Sequence, residues 1–441
     1  MPSSRLFVAC GLVTLALVGS VAATWLAWAA LGADLLLVLA FLTDRHRAAR
    51  TPLRAARTWP PLLVQGAPSP VTLRLEAPGP RAVTVVVREA LHPALVEAPL
   101  RERVRVAAGA AHSWRYVLSC RRRGAHVIPP PTVRVLGPWG LAWSQRTLLE
   151  PQVQRVYPQV RWQGEVGRLL ALAHRRELGR SPLRLQGVGS EPYALREYRP
   201  GDPPVRIHWK ASARHDRLVS REDTWERGAR LVVLLDCGRA MASQDAGRSK
   251  LDHALAAALA LTRVAASRGD RVTLAAFSDR IERTVRVRGG SRSVGIAYGA
   301  LFDLEARLVE PAYDLAAEHA GQAESRRSLV VILTSVTDLA AAELLREAVL
   351  ALRRKHRPIL VNLEDPELAA LARARPDTVE AAFAQVSAME IVLANRRLGR
   401  RLQRSDIPVA TAPADRLAWE TLAVYLQTAL GARGALVARR A

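Results

Sequence analysis

Lysine and cysteine are nearly absent from this chain. Of its 64 basic residues only Lys210, Lys250 and Lys355 are lysine, so the formal net charge of +24 is carried by arginine. Cysteine is limited to Cys10, Cys120 and Cys237, with no C-x-x-C pair. That excludes a disulfide framework and a zinc site of paired cysteines, and it fits a reducing compartment. No G-x-x-x-x-G-K-[ST] phosphate loop occurs, and Gly187-Val-Gly189 lacks the third glycine and the preceding strand of a dinucleotide site. H-E-x-x-H and G-x-S-x-G are missing too, which removes the common zinc-peptidase and serine-hydrolase signatures.

What is present is length and apolar content. At 441 residues, 49% of them hydrophobic, the chain is long enough for two or three domains with cores of their own. Residues 6–42 form an apolar run of 37 residues with one charge, Asp34. A single bilayer crossing needs about 20 residues, so the run predicts a transmembrane hairpin over residues 1–44, with a turn between Gly19 and Trp28. Arg5 flanks one end, and Arg45, His46, Arg47, Arg50, Arg54 and Arg57 flank the other. Basic flanks stay on the cytoplasmic side. The expectation is a multi-pass protein of the bacterial inner membrane with its soluble domains in the cytoplasm. Asp34 would lie in hydrocarbon, where a carboxylate is costly and expected to be paired or functional.

From residue 51 to 158 the pattern changes to short alternating runs broken by Pro and Gly, such as Val71-Thr-Leu-Arg-Leu75 and Ala82-Val-Thr-Val-Val-Val-Arg88. Period-two alternation at regular spacing predicts an antiparallel β-sandwich. Gly137-Pro-Trp-Gly140 reads as a turn carrying an aromatic plug. A connector over residues 159–229 comes next, with a helical pattern at 166–178. Residues 230–430 alternate continuous apolar strands with amphipathic helices, the pattern of a doubly wound α/β sheet covered on both faces. Ligands of such sheets bind beyond the carboxyl ends of the strands.

The connector holds the most distinctive stretch. Arg196-Glu-Tyr-Arg-Pro-Gly-Asp202 is continued by Arg206-Ile-His-Trp-Lys-Ala-Ser-Ala-Arg214. Arg196, Glu197, Arg199, Asp202, Arg206, Lys210 and Arg214 interleave both signs around Tyr198, Gly201, His208 and Trp209. Guanidinium groups grip carboxylates two-pronged and stack on rings, so the stretch predicts an internal ion-pair network that seals the entry to the next domain. His208 beside Glu197 or Asp202 has the makings of a base, though a single histidine in such a network is ordinarily structural.

This motif resembles the signature of the domain-of-unknown-function 58 family, R-E-Y-x-P-G-D and R-x-I-x-W-x-A-S-A-R. The next segment, Arg230-Leu-Val-Val-Leu-Leu-Asp-Cys-Gly-Arg-Ala-Met241, is also similar to the segment that succeeds the signature in that family. The resemblance implies an immunoglobulin-like module before the signature and a von Willebrand factor A-like domain after it. It also implies a protein partner, a MoxR-type AAA+ ATPase. In von Willebrand A domains the first strand ends in D-x-S-x-S, and a Thr and an Asp from two further loops complete an oxygen shell for Mg2+. Here Asp236 stands first, but Gly238 and Ala240 replace the two serines. The second loop offers Ser291 or Ser293, Ser335 stands where the later Asp belongs, and Asp338 comes three residues after it. The expectation is no cofactor, with Mg2+ binding at Asp236 and Asp338 weak or absent.

Taken together, the sequence reads as a membrane-anchored, non-enzymatic scaffold working with that ATPase in assembly or activation of client proteins, with no nucleic acid as partner. Two other classes stay open. A hydrolase would bring Asp202, His208 and Asp236 within hydrogen-bond reach. A binder of anionic lipid or nucleic acid would project Arg396, Arg397, Arg400, Arg401 and Arg404 from one exposed face.

Overall fold

Alternation of small β-branched residues with arginine and threonine builds the first part of the fold, and unbroken Leu/Val runs build the second. The computed structural model describes residues 1–19, 24–89, 95–96, 101–160, 192–198, 207–223, 229–245, 247–289 and 291–430. The chain divides into two units, Met1–Tyr157 and Pro158–Ala441. The helical pattern expected at 166–178 lies outside the described residues.

The first unit opens with two helices, α1 (Ser4–Gly19) and α2 (Thr24–Arg50). They correct the expected transmembrane hairpin. Among the described residues no helix is long and apolar enough to cross a membrane, and the multi-pass inner-membrane placement goes with it. The 16 residues of α1 span about 24 Å, short of a hydrocarbon layer of about 30 Å. In α2 the apolar part contains Asp34, which is exposed, and gives way after Leu42 to Asp44, Arg45, His46, Arg47 and Arg50. The helix does not end where hydrocarbon would end. It runs on into the β-structure, where Asp44 and Ala48 are fully buried.

Eleven strands come next: β1 (Arg54–Thr58), β2 (Leu63–Val64), β3 (Pro68–Glu76), β4 (Val83–Arg88), β5 (Leu95–Val96), β6 (Arg101–Val106), β7 (Ala111–Cys120), β8 (Gly124–Ile128), β9 (Thr132–Leu136), β10 (Trp143–Thr147) and β11 (Gln152–Tyr157). They form sheets in the orders β1-β3-β7-β5, β10-β9-β4-β6 and β2-β11-β8. Leu73, Leu75 and Trp114 of the first sheet meet Val85, Val87, Val133 and Val135 of the second in one core. Strict alternation along β3 and β4 puts one face of each strand there. These two sheets form a β-sandwich. Its interior also holds a charged pair, Arg57 with Glu89, both almost fully buried.

The second unit begins with a hairpin of β12 (Pro192–Glu197) and β13 (Val219–Asp223), with the short helix α3 (Trp209–His215) between them. Next come β14 (Arg230–Asp236), α4 (Lys250–Ser267), β15 (Arg271–Phe277), β16 (Ile281–Arg288), α5 (Ser291–Leu301), α6 (Tyr313–Ala323), β17 (Leu329–Thr334), α7 (Leu339–Arg353), β18 (Arg357–Leu363), α8 (Pro366–Leu371), α9 (Val379–Arg404), β19 (Val409–Ala412) and α10 (Leu417–Leu430). Their six-stranded sheet runs β16-β15-β14-β17-β18-β19. Only β16 is antiparallel, returning from β15 as a hairpin. Leu231, Val233 and Leu235 of β14 face a core shared with α4, α5 and α10, whereas Val232 and Leu234 face one shared with α6, α7 and α9. Both faces are covered, which is why these strands read as continuous apolar runs.

Candidate functional site

The connections that leave the neighbouring strands β14 and β17 run toward opposite edges of the sheet, so the crevice of this fold opens between them at their carboxyl ends. Asp236 closes β14 at that point and is fully buried. Its Oδ1 accepts the Gly238 N–H at 2.7 Å. Its Oδ2 accepts the Thr334 hydroxyl at 2.6 Å and the Tyr313 hydroxyl at 3.4 Å. Burial pushes the Asp236 carboxyl up to about 6, with the three donors offsetting part of the rise. The Tyr313 phenol is raised well above its ordinary range, first by burial and then by the Asp236 charge.

Over this rim lies the loop between α5 and α6. The Arg307 N–H donates to the Cys237 carbonyl at 2.7 Å, and the Arg239 N–H donates to the Val309 carbonyl at 2.9 Å. A Cβ on Gly238 would stand 3.0 Å from Pro311 Cδ and 3.1 Å from both the Val309 carbonyl and Asp236 Oδ1. The seat of a ligating serine is therefore taken by the covering loop. Ala240, the other replaced position, is buried in the turn after Gly238.

The remaining metal candidates are committed or remote. Asp338 caps α7, accepting the Ala341 N–H at 2.7 Å, and meets Arg239 Nη2 at 3.4 Å. Arg239 also pairs with Glu310 at 2.7 Å. Ser335 donates to the Leu363 carbonyl at 3.1 Å and accepts from Lys250 Nζ at 3.4 Å, turning toward β18. The loop expected to supply Ser291 or Ser293 is at the other end of the sheet. Arg288 pairs in register with Arg271, and Gly289 stands against Gly269 at the amino end of β15, whereas Asp236 pairs with Phe277 at its carboxyl end. The sequence predicts residues 281–287 as a hairpin return after 271–277, and the antiparallel β16 that results carries that loop to the far rim from Asp236. Among the described residues no group of three or more His, Cys, Asp or Glu is placed to hold a metal.

The signature stretch is only partly gathered. Arg196 and Glu197 pair in register with Ser220 and Val219, and the Tyr198 N–H donates to the Leu218 carbonyl at 2.8 Å. His208 caps α3, its Nδ1 accepting the Ala211 N–H at 3.1 Å. Trp209 is 67% exposed, and Lys210 and Arg214 are exposed as well. Among the described residues Glu197 pairs with Arg217 at 3.8 Å, with both side chains more than half exposed. Arg199, Gly201, Asp202 and Arg206 lie outside the described residues. The part that is described is a capped hairpin. With His208 capping a helix and Asp236 closed in by three donors, neither presents a free base to a substrate.

One element carries more than its arginines alone suggest: α9, 26 residues long. Leu398 and Leu402 bury its inner side. On its outer side Val379, Phe383, Val386, Met389 and Leu393 are exposed, and Arg396, Arg397, Arg400, Arg401 and Arg404 are exposed beyond them. At about 100° per residue these ten positions fall within an arc of about 140°. Arg401 pairs with Glu343 at 2.6 Å.

Comparison with known proteins gives a family and little else. No curated protein matches the chain. Among solved structures it is similar to the conserved hypothetical protein BatB from Bacteroides thetaiotaomicron, at 13% identity and TM-score 0.27 over 45% of this chain and 99% of that one. Proximal thread matrix protein 1 from the mussel byssus is similar at 11% identity and TM-score 0.26, over 46% of each chain. A β-glucuronidase from Bacteroides uniformis aligns at 8% identity and TM-score 0.16 over 84% of this chain and 34% of that one. Residues 194–403, the span from the signature hairpin to the end of α9, match the family described as protein of unknown function DUF58, and this stretch of the chain belongs to that family.

Proposed function

We propose that this protein is a non-enzymatic scaffold in which a von Willebrand A-like domain docks a protein partner through the outer face of α9. The observation that carries this reading is that face itself. Phe383 is 72% exposed and Val379 67%. Contiguous apolar surface of this kind on a helix marks an interaction site, and the arginines beyond it select an acidic partner. The sheet order third-second-first-fourth-fifth-sixth, with an antiparallel third strand and an Asp ending the first, supports the von Willebrand A-like assignment. The partner is a MoxR-type AAA+ ATPase, as the family resemblance implies, and the joint task is assembly or activation of client proteins. Nucleotide hydrolysis belongs to that partner.

The test is co-purification of an AAA+ ATPase, identified by mass spectrometry, with the tagged full chain. Phe383→Asp and the pair Arg397→Glu/Arg404→Glu are each expected to abolish capture. Capture unchanged in both variants overturns the reading. If instead Phe383→Asp leaves binding intact while charge reversal and added salt remove it, the face serves a phosphate-rich polymer, because such binding is dominated by cations.

A further inference from the structure

A cleft of about 400 Å3 opens beyond the carboxyl ends of β17, β18 and β19, bounded by α8 and α9. Its floor holds Lys250, 2% exposed, whose ammonium donates to Asp365 Oδ2 at 2.7 Å and to Ser335 Oγ at 3.4 Å. Burial works to raise the Asp365 carboxyl, but Lys250 and the N–H groups of Leu368 and Glu367 hold it below its ordinary value. The pair is thus a neutralised, ordered unit. Beside it two amides are locked in place. Asn362 Oδ1 accepts the Val336 N–H at 3.2 Å, Asn395 Nδ2 donates to the Val336 carbonyl at 3.0 Å, and the two amides meet at 3.3 Å.

The mouth is different in character. Arg396 and Arg400, one helical turn apart, line it from α9, both exposed. Neither has a carboxylate partner among the described residues, whereas Arg230, Arg239, Arg283, Arg307, Arg346 and Arg401 of the same unit are all ion-paired. Two guanidinium groups at this spacing suit the planar, bidentate recognition of one phosphate. Glu364, which also lines the cleft, disfavours a polyanion and suits hydroxyl donors, as the two amides do.

We propose that this cleft binds a small phosphomonoester with a hydroxyl-rich body, its phosphate held by Arg396 and Arg400 and its hydroxyls read by Asn362, Asn395 and Glu364. Arg396 and Arg400 belong to the docking face of α9 as well, but docking is tested at Phe383, Arg397 and Arg404, which do not line the cleft, so either reading can fail alone.

The experiment is calorimetric titration of the full chain with glucose 6-phosphate, inorganic phosphate, glucose, and vesicles of phosphatidylcholine with or without phosphatidic acid. Saturable binding of glucose 6-phosphate, weaker binding of phosphate and none of glucose is expected. Arg396→Gln and Arg400→Gln should each weaken it at least about tenfold, the size of one lost charge-assisted contact, with an unchanged melting temperature for the free protein. Arg397→Gln should leave it intact. Binding confined to the phosphatidic acid vesicles, and lost in the same two variants, keeps the phosphate site and assigns it to a lipid headgroup. No saturable binding of any phosphate-bearing probe at millimolar concentration, or binding indifferent to both arginine variants, overturns the proposal.

Discussion

Asp236 and Asp44 are both fully buried carboxylates, and each is met by a different set of donors. Asp44 accepts the N–H groups of Trp139 at 2.8 Å, Leu141 at 2.8 Å and Ala142 at 3.0 Å, so its two oxygens are met by three backbone donors. Gly137 leaves the space for it, since a Cβ there would collide with the Asp44 carboxylate. Asp44→Ala leaves three donors without a partner at about 1–3 kcal/mol each, and Gly137→Ala forces the carboxylate out of its socket. Both variants should lower the melting temperature of the first unit by several degrees, measured by calorimetry. Deleting residues 1–44 should do the same, because the deletion removes Asp44 with the helix. At Asp236 burial outweighs the donors. Its folded value of about 6 lies above the unfolded value of 3.8, so its stabilising contribution is full below the unfolded value and lost as pH rises through the folded one. Over that window the loss is about 3 kcal/mol. Asp236→Asn can keep the Gly238 bond through its carbonyl and donate its amide to the two hydroxyls. In urea titrations the wild type should lose stability relative to this variant from about pH 4 to about pH 7, and a constant difference across that range would show that Asp236 does not titrate there.

At the scale of elements, α9 separates core from docking face by residue. Leu398 and Leu402 are buried between sheet and helix, and truncating either to Ala should cost about 2–5 kcal/mol. Phe383→Asp removes an exposed ring and should leave denaturant stability within about 0.5 kcal/mol. A large loss there would mean that the ring packs inside the fold. The strands of the second unit are legible in the sequence because burial on both faces writes itself as unbroken apolar runs. The runs at 271–277 and 329–333 predict strands, and the structure has them at Arg271–Phe277 and Leu329–Thr334. The hairpin return at 281–287 is legible as well. What the pattern leaves out is the path of the next loop, because nothing in apolar alternation says that the stretch around Val309 lies against Gly238 and Arg239. The socket of Asp44 is hidden more completely, because its partners lie 95 to 98 residues away in sequence. The apolar run of residues 6–42 misleads for a plain reason: hydropathy gives the extent of an apolar stretch, but it is silent about where helices begin and end.

At the scale of the whole molecule, each unit carries hydrophobic cores of its own. Those of the first are built from the strands of its three sheets, and those of the second from the two faces of the six-stranded sheet. A unit with its own core is expected to unfold as one cooperative step. Scanning calorimetry of the full chain should therefore resolve two transitions. Asp44→Ala should move one of them, and Leu398→Ala should move the other. Arg57→Ala gives the sharper case, since it strips the buried Glu89 of its cation at a cost of about 3–5 kcal/mol. Burial already raises the Glu89 carboxyl despite Arg57, so without the guanidinium the group should fold protonated. The variant should then lose more stability at neutral pH than at about pH 4.5, with the loss confined to the transition that Asp44→Ala also moves. A shift of both transitions together would mean that the units unfold as one body.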